Sequence, residues 1–324
     1  MTDDARAFWV KAPGHGEIWN EPLPLVSPTD VVVRTMFSAV SRGTESLVFN
    51  GRVPASEHQR MRAPFQAGEF PGPLKYGYSS VGRIERGPRE MLGRHVFVLY
   101  PHQTRYVVPA SSVYVVPQNV PPERAVLAAN LETAINGLWD AGAQIGDRIA
   151  VIGAGTVGCL VAWMAGLMPG CEVELVDINS HRETVARALG VRFAHPETVG
   201  QDQDLVIHAS GSPAGLALAF RIAGFEATIA EMSWYGDQVV SMPLGESFHA
   251  RRLTLRSSQV GTVARSQRSR WGHRRRMQLA LTMLADPALD VLMTGESAFE
   301  DLPEVMAQLA AAGGDTLCHL IRYS

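Results

Sequence analysis

The chain has little cysteine, no long apolar run and almost no excess charge of either sign. Its three cysteines, Cys159, Cys171 and Cys318, have no metal-ligand spacing, and none precedes Cys159. That pattern excludes a small disulfide-built domain. No apolar run reaches the length needed to cross a membrane, so no membrane partner is expected. The start, Met1-Thr-Asp-Asp, is acidic and lacks the basic and apolar regions of a secretory leader, so a cytoplasmic location is expected. A net charge of −3 argues against nucleic acid or an anionic membrane as the main partner. Internal repeats and low-complexity tracts are also missing. What remains, 46% hydrophobic and 19% charged residues over 324 positions, is an ordinary globular composition on a chain long enough for two domains.

Residues 1–118 read as β-rich and punctuated by Pro and Gly. Strand candidates are Ala5 to Val10, Asp30 to Phe37, Tyr78 to Ile84, His95 to Tyr100, Thr104 to Val108 and Val113 to Val116. Turns fall at Pro71-Gly-Pro73 and Gly87-Pro88. Short strands without intervening helices predict a barrel-like or irregular β domain. From Pro121 the texture changes. Pro122 to Ala141 has helical spacing behind a proline-led start. Helices are also expected at His181 to Leu189, Ala214 to Ala223, Met277 to Leu284 and Leu302 to Ala311, with a closing strand from Thr316 to Ile321.

The most informative stretch follows Arg148, after which no charged residue appears until Glu172. An apolar strand, Ile149 to Ile152, runs into Gly153-Ala-Gly155-Thr156-Val157-Gly158 and then an apolar helix. This is the strand, glycine turn and helix of a dinucleotide-binding unit. Gly153 permits the turn, Gly155 lets a pyrophosphate approach the backbone, and Gly158 lets helix and strand pack closely. The anion would sit at the helix N-terminus. A second strand, Glu172 to Val176, ends at Asp177. A carboxylate there accepts hydrogen bonds from a ribose diol and repels a 2′-phosphate, which favours NAD over NADP. Asp204 to Gly211 reads as a further buried strand delivering Ser210 and Gly211 to the cofactor edge of the sheet.

The order of β-rich domain, Gly-Asp-Arg lead-in, glycine unit and closing strand resembles the medium-chain dehydrogenase/reductase superfamily. That resemblance implies an α/β fold, with a Rossmann domain at 119–287, a GroES-like catalytic domain at 1–118, and a tail at 288–324 returning to the catalytic domain. It also implies a substrate cleft between the domains and a homodimer. Val40-Ser-Arg-Gly-Thr-Glu45 is similar to the catalytic-cysteine segment of the zinc alcohol dehydrogenases. Lys75-Tyr-Gly-Tyr-Ser-Ser-Val-Gly82 is similar to their Gly-His-Glu segment, and Leu131-Glu132 to their Glu-Pro landmark. The Ser-Arg-Gly-Thr-Glu string also resembles the dehydrogenases acting on the hydroxyethyl group of bacteriochlorophyllide.

Where those enzymes place Cys, His and Glu, this chain has Ser41, Tyr78 and Ser79, which are poor zinc ligands. A zinc-free branch is the expectation. Without a Lewis acid, a side chain must manage the charge on the reacting oxygen. The candidates are Tyr78, Ser41, Thr44, His102 and Glu132, the last as a buried carboxylate with a raised pKa. Each has a plainer alternative. Tyr78 could merely fill the vacated volume, Ser41 and Thr44 could satisfy turn backbone, and His102 and Glu132 could be structural. Arg42 is a candidate for the cofactor pyrophosphate. The basic stretch Arg265 to Arg276 reads as a solvated helix face, and as an anion site in the alternative. Trp234 and Tyr235 either cover the nicotinamide or belong to the core.

The expected function is zinc-independent hydride transfer between NAD(H) and an alcohol/carbonyl small molecule. The alternatives are an NADPH-dependent reductase of quinones or enones and a non-catalytic NAD- or nucleic-acid-binding regulator.

Overall fold

A computed structural model describes residues 4–311 and 313–324. The chain divides into two compact units, one made of residues 1–129, 281–287 and 293–324 and the other of 130–280 and 288–292. Among the described residues, no helix is long and apolar enough to cross a membrane.

The second unit is built on a six-stranded parallel sheet. Its spatial order is Arg192–Ala194, Glu172–Val176, Arg148–Ile152, Gln203–His208, Ala223–Glu231 and Thr254–Ser257. Counted in chain order, these strands lie 3-2-1-4-5-6, the doubly wound Rossmann arrangement. Ile149 to Ile152 are buried on both faces of the sheet, which explains why the strand reads as an unbroken apolar run. The helix Thr156–Gly166 is apolar all round and buries Cys159 through Ala165. A core of Ile152, Val206, Phe220 and Ile229 joins the sheet to the helix Pro213–Ile222.

In the first unit the long strand Asp30–Val40 organises the larger sheet. One edge pairs with Ser80–Arg86. The other edge is shared, with Arg105–Pro109 beside Asp30 to Arg34 and the closing strand Cys318–Arg322 beside Phe37 to Val40. Met293–Ala298 then adds in parallel outside the closing strand. A smaller sheet joins Asp4–Ala12, His15–Pro22, Leu74–Lys75 and Ala67–Gly68.

The first unit extends past residue 118, because Ser79 Oγ donates to the Val126 carbonyl and ties the chain entering the long helix to this sheet. The helix expected from Pro122 to Ala141 is two, Pro122–Ala125 and Ala128–Ala141. The helix Arg42–Phe49 and the strands His15–Pro22 and Met293–Ala298 were not expected. At 42–49 the sequence offers Gly43 and Thr44, both weak helix formers. Burial of Val48 and Phe49 and the tie from Glu45 to Ser41 outweigh that.

Candidate functional site

In the second unit the glycine turn has the geometry its residues require. Gly153 sits at φ +106°, where a Cβ would lie 2.6 Å from the Ser210 Cα. A Cβ on Gly158 would overlap the Gly153 carbonyl oxygen, whereas one on Gly155 would meet nothing within 4 Å. The open face of the turn is therefore at Gly155, directly before the N-terminus of the helix Thr156–Gly166, whose first amides, those of Thr156 and Val157 among them, lack intrahelical partners and suit an anion. Asp177 stands beside this opening. Its Oδ2 accepts the Ala154 N–H at 2.7 Å and its Oδ1 the Asn179 N–H at 2.9 Å, leaving further lone pairs on both oxygens. An open turn, free helix amides and a carboxylate at the next strand end suit a dinucleotide. Gly158→Ala should force helix and turn apart at a cost of about 1–3 kcal/mol. Calorimetry should show lowered stability together with weakened dinucleotide binding.

In the first unit, Ser41, Thr44, Tyr78 and His102 are brought together by a residue that sequence reasoning missed. Glu45 lies on the inward face of the helix Arg42–Phe49 and is 3% exposed. Its Oε1 accepts the Ser41 N–H at 2.7 Å, and its Oε2 accepts from His102 Nε2 at 2.8 Å. His102 is 1% exposed, and its Nδ1 is 2.7 Å from Ser38 Oγ, which lies 2.8 Å from Tyr323 Oη. With a neutral ring the chain runs Tyr323 O–H to Ser38 O–H to His102 Nδ1, and His102 Nε2–H to Glu45. Tyr78 borders this network. Burial pushes its phenol up to about 12, the Glu45 carboxylate adds to the rise, and hydrogen bonds from Ser41 and Thr44 oppose it. At neutral pH Tyr78 is thus a protonated donor supported by two hydroxyls.

Two expected site residues are engaged elsewhere. Arg42, expected at a pyrophosphate, has its guanidinium hydrogen-bonded within its own unit. It donates to the carbonyls of Leu309, Gly314 and Thr316, tying the C-terminal segment to its own helix. Glu132 is buried, and burial raises its pKa as expected, but its Oε1 accepts from Arg276 Nε at 3.0 Å, which opposes the rise. Arg276 also donates to Asn136 Oδ1 at 2.5 Å and to the Val260 carbonyl at 2.6 Å. The innermost arginine of the basic stretch is therefore a core group. Arg275 stacks on Trp271 at 3.8 Å, while Arg265, Arg268 and Arg270 are exposed.

At the C-terminal edge of the parallel sheet, Ser210 Oγ lies 2.6 Å from His208 Nε2 and His208 Nδ1 lies 2.7 Å from Glu231 Oε2. Tyr235, expected near the nicotinamide or in the core, donates to Glu231 Oε2 at 3.2 Å. Ser210 was expected at this edge from the sequence, whereas His208, the last residue of the strand, was not singled out. Neither was its carboxylate partner, 23 residues on.

No family model matches the chain. An uncharacterised zinc-type alcohol dehydrogenase-like protein of Haemophilus influenzae is 31% identical over 138 residues, 39% of this chain and 40% of that relative. D-guloside 3-dehydrogenase of Escherichia coli is 23% identical over 310 residues, 87% of this chain and 86% of the relative. A solved structure described as a zinc-binding dehydrogenase of Sinorhizobium meliloti, bound to NADP, superposes with a TM-score of 0.78 at 16% identity, covering 98% of this chain and 99% of that one. The fold is that of the medium-chain dehydrogenases, a Rossmann domain with a GroES-like domain, and the sequence likeness is to zinc-type alcohol dehydrogenase-like proteins.

The names of two of these similar proteins mention zinc, and at the positions that the resemblance matches to zinc ligands this chain carries other donors. Ser41 and Tyr78 offer neutral hydroxyls, Ser79 donates its proton to Val126, and the Glu132 carboxylate is held by Arg276. Among the described residues, no three His, Cys, Asp or Glu side chains gather to hold a metal ion.

Proposed function

We propose that the protein is a zinc-independent, NAD-dependent dehydrogenase acting on an alcohol/carbonyl pair. The observation that carries this reading is the Asp177 carboxylate beside the open glycine turn, 2.7 Å from the Ala154 amide. A negative charge there accepts from the adenosine ribose diol and opposes a 2′-phosphate. When bound, NAD(H) supplies the hydride acceptor or donor.

The protein's own part is to hold the substrate oxygen and manage its proton. Tyr78 donates its phenolic proton to a carbonyl oxygen as negative charge develops there, and takes it back when the alcohol is oxidised. Ser41 and Thr44 donate to the phenolate oxygen while the proton is away, which the lowering effect of both on the Tyr78 pKa supports. The buried Glu45–His102 pair holds the Ser41 backbone at the start of the helix Arg42–Phe49, which carries Thr44. The D-guloside relative makes sugar and polyol secondary alcohols the first substrates to try.

The test is dinucleotide reduction by the purified protein over a panel of polyols and secondary alcohols, with NAD and NADP, before and after chelation. Turnover with NAD that survives chelation is the expected result. Activity lost on chelation and restored by zinc overturns the metal-free part, and a preference for NADP overturns the Asp177 argument. Asp177→Ser should shift the NAD-to-NADP affinity ratio toward NADP by about tenfold, equivalent to ~1.4 kcal/mol. An unchanged ratio in a binding titration would remove Asp177 as the selector. A homodimer belongs to the same reading, supported by Thr254–Ser257 being the edge strand of its sheet. Sedimentation at the monomer mass would remove it.

A further inference from the structure

His208 is an unusual residue for its place. It is fully buried at the end of a central strand where its neighbours Val206 and Ile207 are apolar, and both ring nitrogens are engaged. Nδ1 faces Glu231 Oε2 at 2.7 Å, and Nε2 faces Ser210 Oγ at 2.6 Å. Glu231 is fixed in turn, since its Oε1 accepts the Ser233 N–H at 2.7 Å and its Oε2 accepts from Tyr235 at 3.2 Å. Gly215 clears the volume that this line occupies. A Cβ on it would stand 2.5 Å from Ser210 Oγ and 2.7 Å from His208 Nε2. The line ends at the ligand edge. Ser210 is exposed, and its backbone packs against Gly153, the first glycine of the dinucleotide turn.

The polarity of the line follows from valence. A carboxylate only accepts, so His208 Nδ1 carries a proton and donates to Glu231. In the neutral ring Nε2 must then accept, and it takes the Ser210 hydroxyl proton. The Ser212 N–H, 3.2 Å from Ser210 Oγ, fills one of the two acceptor positions on that oxygen. One lone pair is left on the oxygen of this exposed residue. Gln203–His208 lies next to Arg148–Ile152 on the side away from Glu172–Val176, across the point where strand order reverses. The adenosine half of a dinucleotide belongs on the Asp177 side, so Ser210 lies on the nicotinamide side.

We propose that Glu231 and His208 are positioning residues that lock Ser210 as a hydrogen-bond acceptor for a donor group on the nicotinamide-riboside half of the cofactor, a ribose hydroxyl or the carboxamide NH₂. This rests on the dinucleotide reading above and adds to it a Ser–His–Glu relay that sets the polarity of the contact. The Glu231→Gln change tests the polarity without removing any hydroxyl. The Ser233 N–H keeps the amide oxygen of the new side chain on its own side and turns the NH₂ toward His208 Nδ1. The ring then changes tautomer, Nε2–H donates to Ser210, and the serine presents a proton where the ligand needs a lone pair.

Dissociation constants for NADH, ADP-ribose and ADP would be measured by calorimetry on the wild type, Ser210→Ala and Glu231→Gln. Both variants should bind NADH about five- to tenfold more weakly, with ADP binding unchanged. Parallel weakening of ADP-ribose identifies the ribose hydroxyl as the donor, and an unaffected ADP-ribose identifies the carboxamide. NADH affinity unchanged in Ser210→Ala overturns the proposal. So does weakening in Ser210→Ala alone, which would mean that Ser210 acts without the relay. Equal weakening of ADP in either variant marks a structural role and also overturns it. A wild type that binds neither NADH nor ADP removes the dinucleotide reading itself, and the relay with it.

Discussion

Tyr78→Phe should lower kcat by about 10²–10³-fold while NADH affinity stays the same. The phenyl ring fills the same volume, so the loss isolates the hydroxyl. If Tyr78 only fills space left by a missing metal site, kcat will not change, and steady-state kinetics decides between the two. The pH dependence carries a second signature. Burial and the Glu45 carboxylate hold the phenol up to about 12, above the ~10 of an ordinary tyrosine. An acid with a raised pKa keeps its proton as pH rises, so carbonyl reduction should hold its Tyr78-dependent rate through pH 10 and decline only near the raised value. Glu45→Gln removes the anion that contributes to the rise. The alkaline limb should therefore move to lower pH in that variant. A limb that stays in place would separate Tyr78 from the buried pair beneath it.

The largest stability effect is expected at Arg276. Replacing it with Met leaves the Glu132 carboxylate buried without a counter-charge, which costs about 3–5 kcal/mol. Arg276 is 1% exposed, and its guanidinium satisfies Glu132, Asn136 and Val260 together. The effect should depend on pH in a definite direction. Burial already raises the Glu132 pKa, while Arg276 opposes that rise. Without the arginine the folded-state pKa moves higher still. A group whose folded pKa lies above its unfolded value favours the fold when protonated and loses that contribution as pH rises through the folded pKa. Thermal denaturation of Arg276→Met should thus show a larger deficit at pH 8 than at pH 5.5. Pairing it with Glu132→Met should recover most of the loss, because no buried charge is then left alone. An exposed arginine would give a deficit within about 0.5 kcal/mol.

These two sites differ in how much of them the sequence disclosed. Tyr78, Ser41, Thr44 and His102 are each visible in the sequence as candidates, but nothing local singles out Glu45, which joins them. Its partner His102 is 57 positions away, on a different element. Arg276 looked like one more cation on a solvated face, because its partner Glu132 is 144 positions earlier. The position of Arg42 beside Ser41 suggests a cofactor contact. Its carbonyl partners from Leu309 to Thr316 exist only because the tail folds back onto the helix Arg42–Phe49.

The α/β class and the Rossmann unit, with its open glycine turn beside Asp177, were already decided by the sequence. Those follow from local constraints, since an apolar strand, three glycines and Asp177 act over fewer than about thirty consecutive residues. Tertiary structure alone decided which charges are paired and which polar groups are left to meet a ligand. A buried carboxylate takes its meaning from whatever cation or ring the fold brings within about 3 Å. Glu132 and Glu45 are the same residue type with similar burial, yet packing gave one an arginine and a structural role, and the other a histidine at the edge of the candidate site.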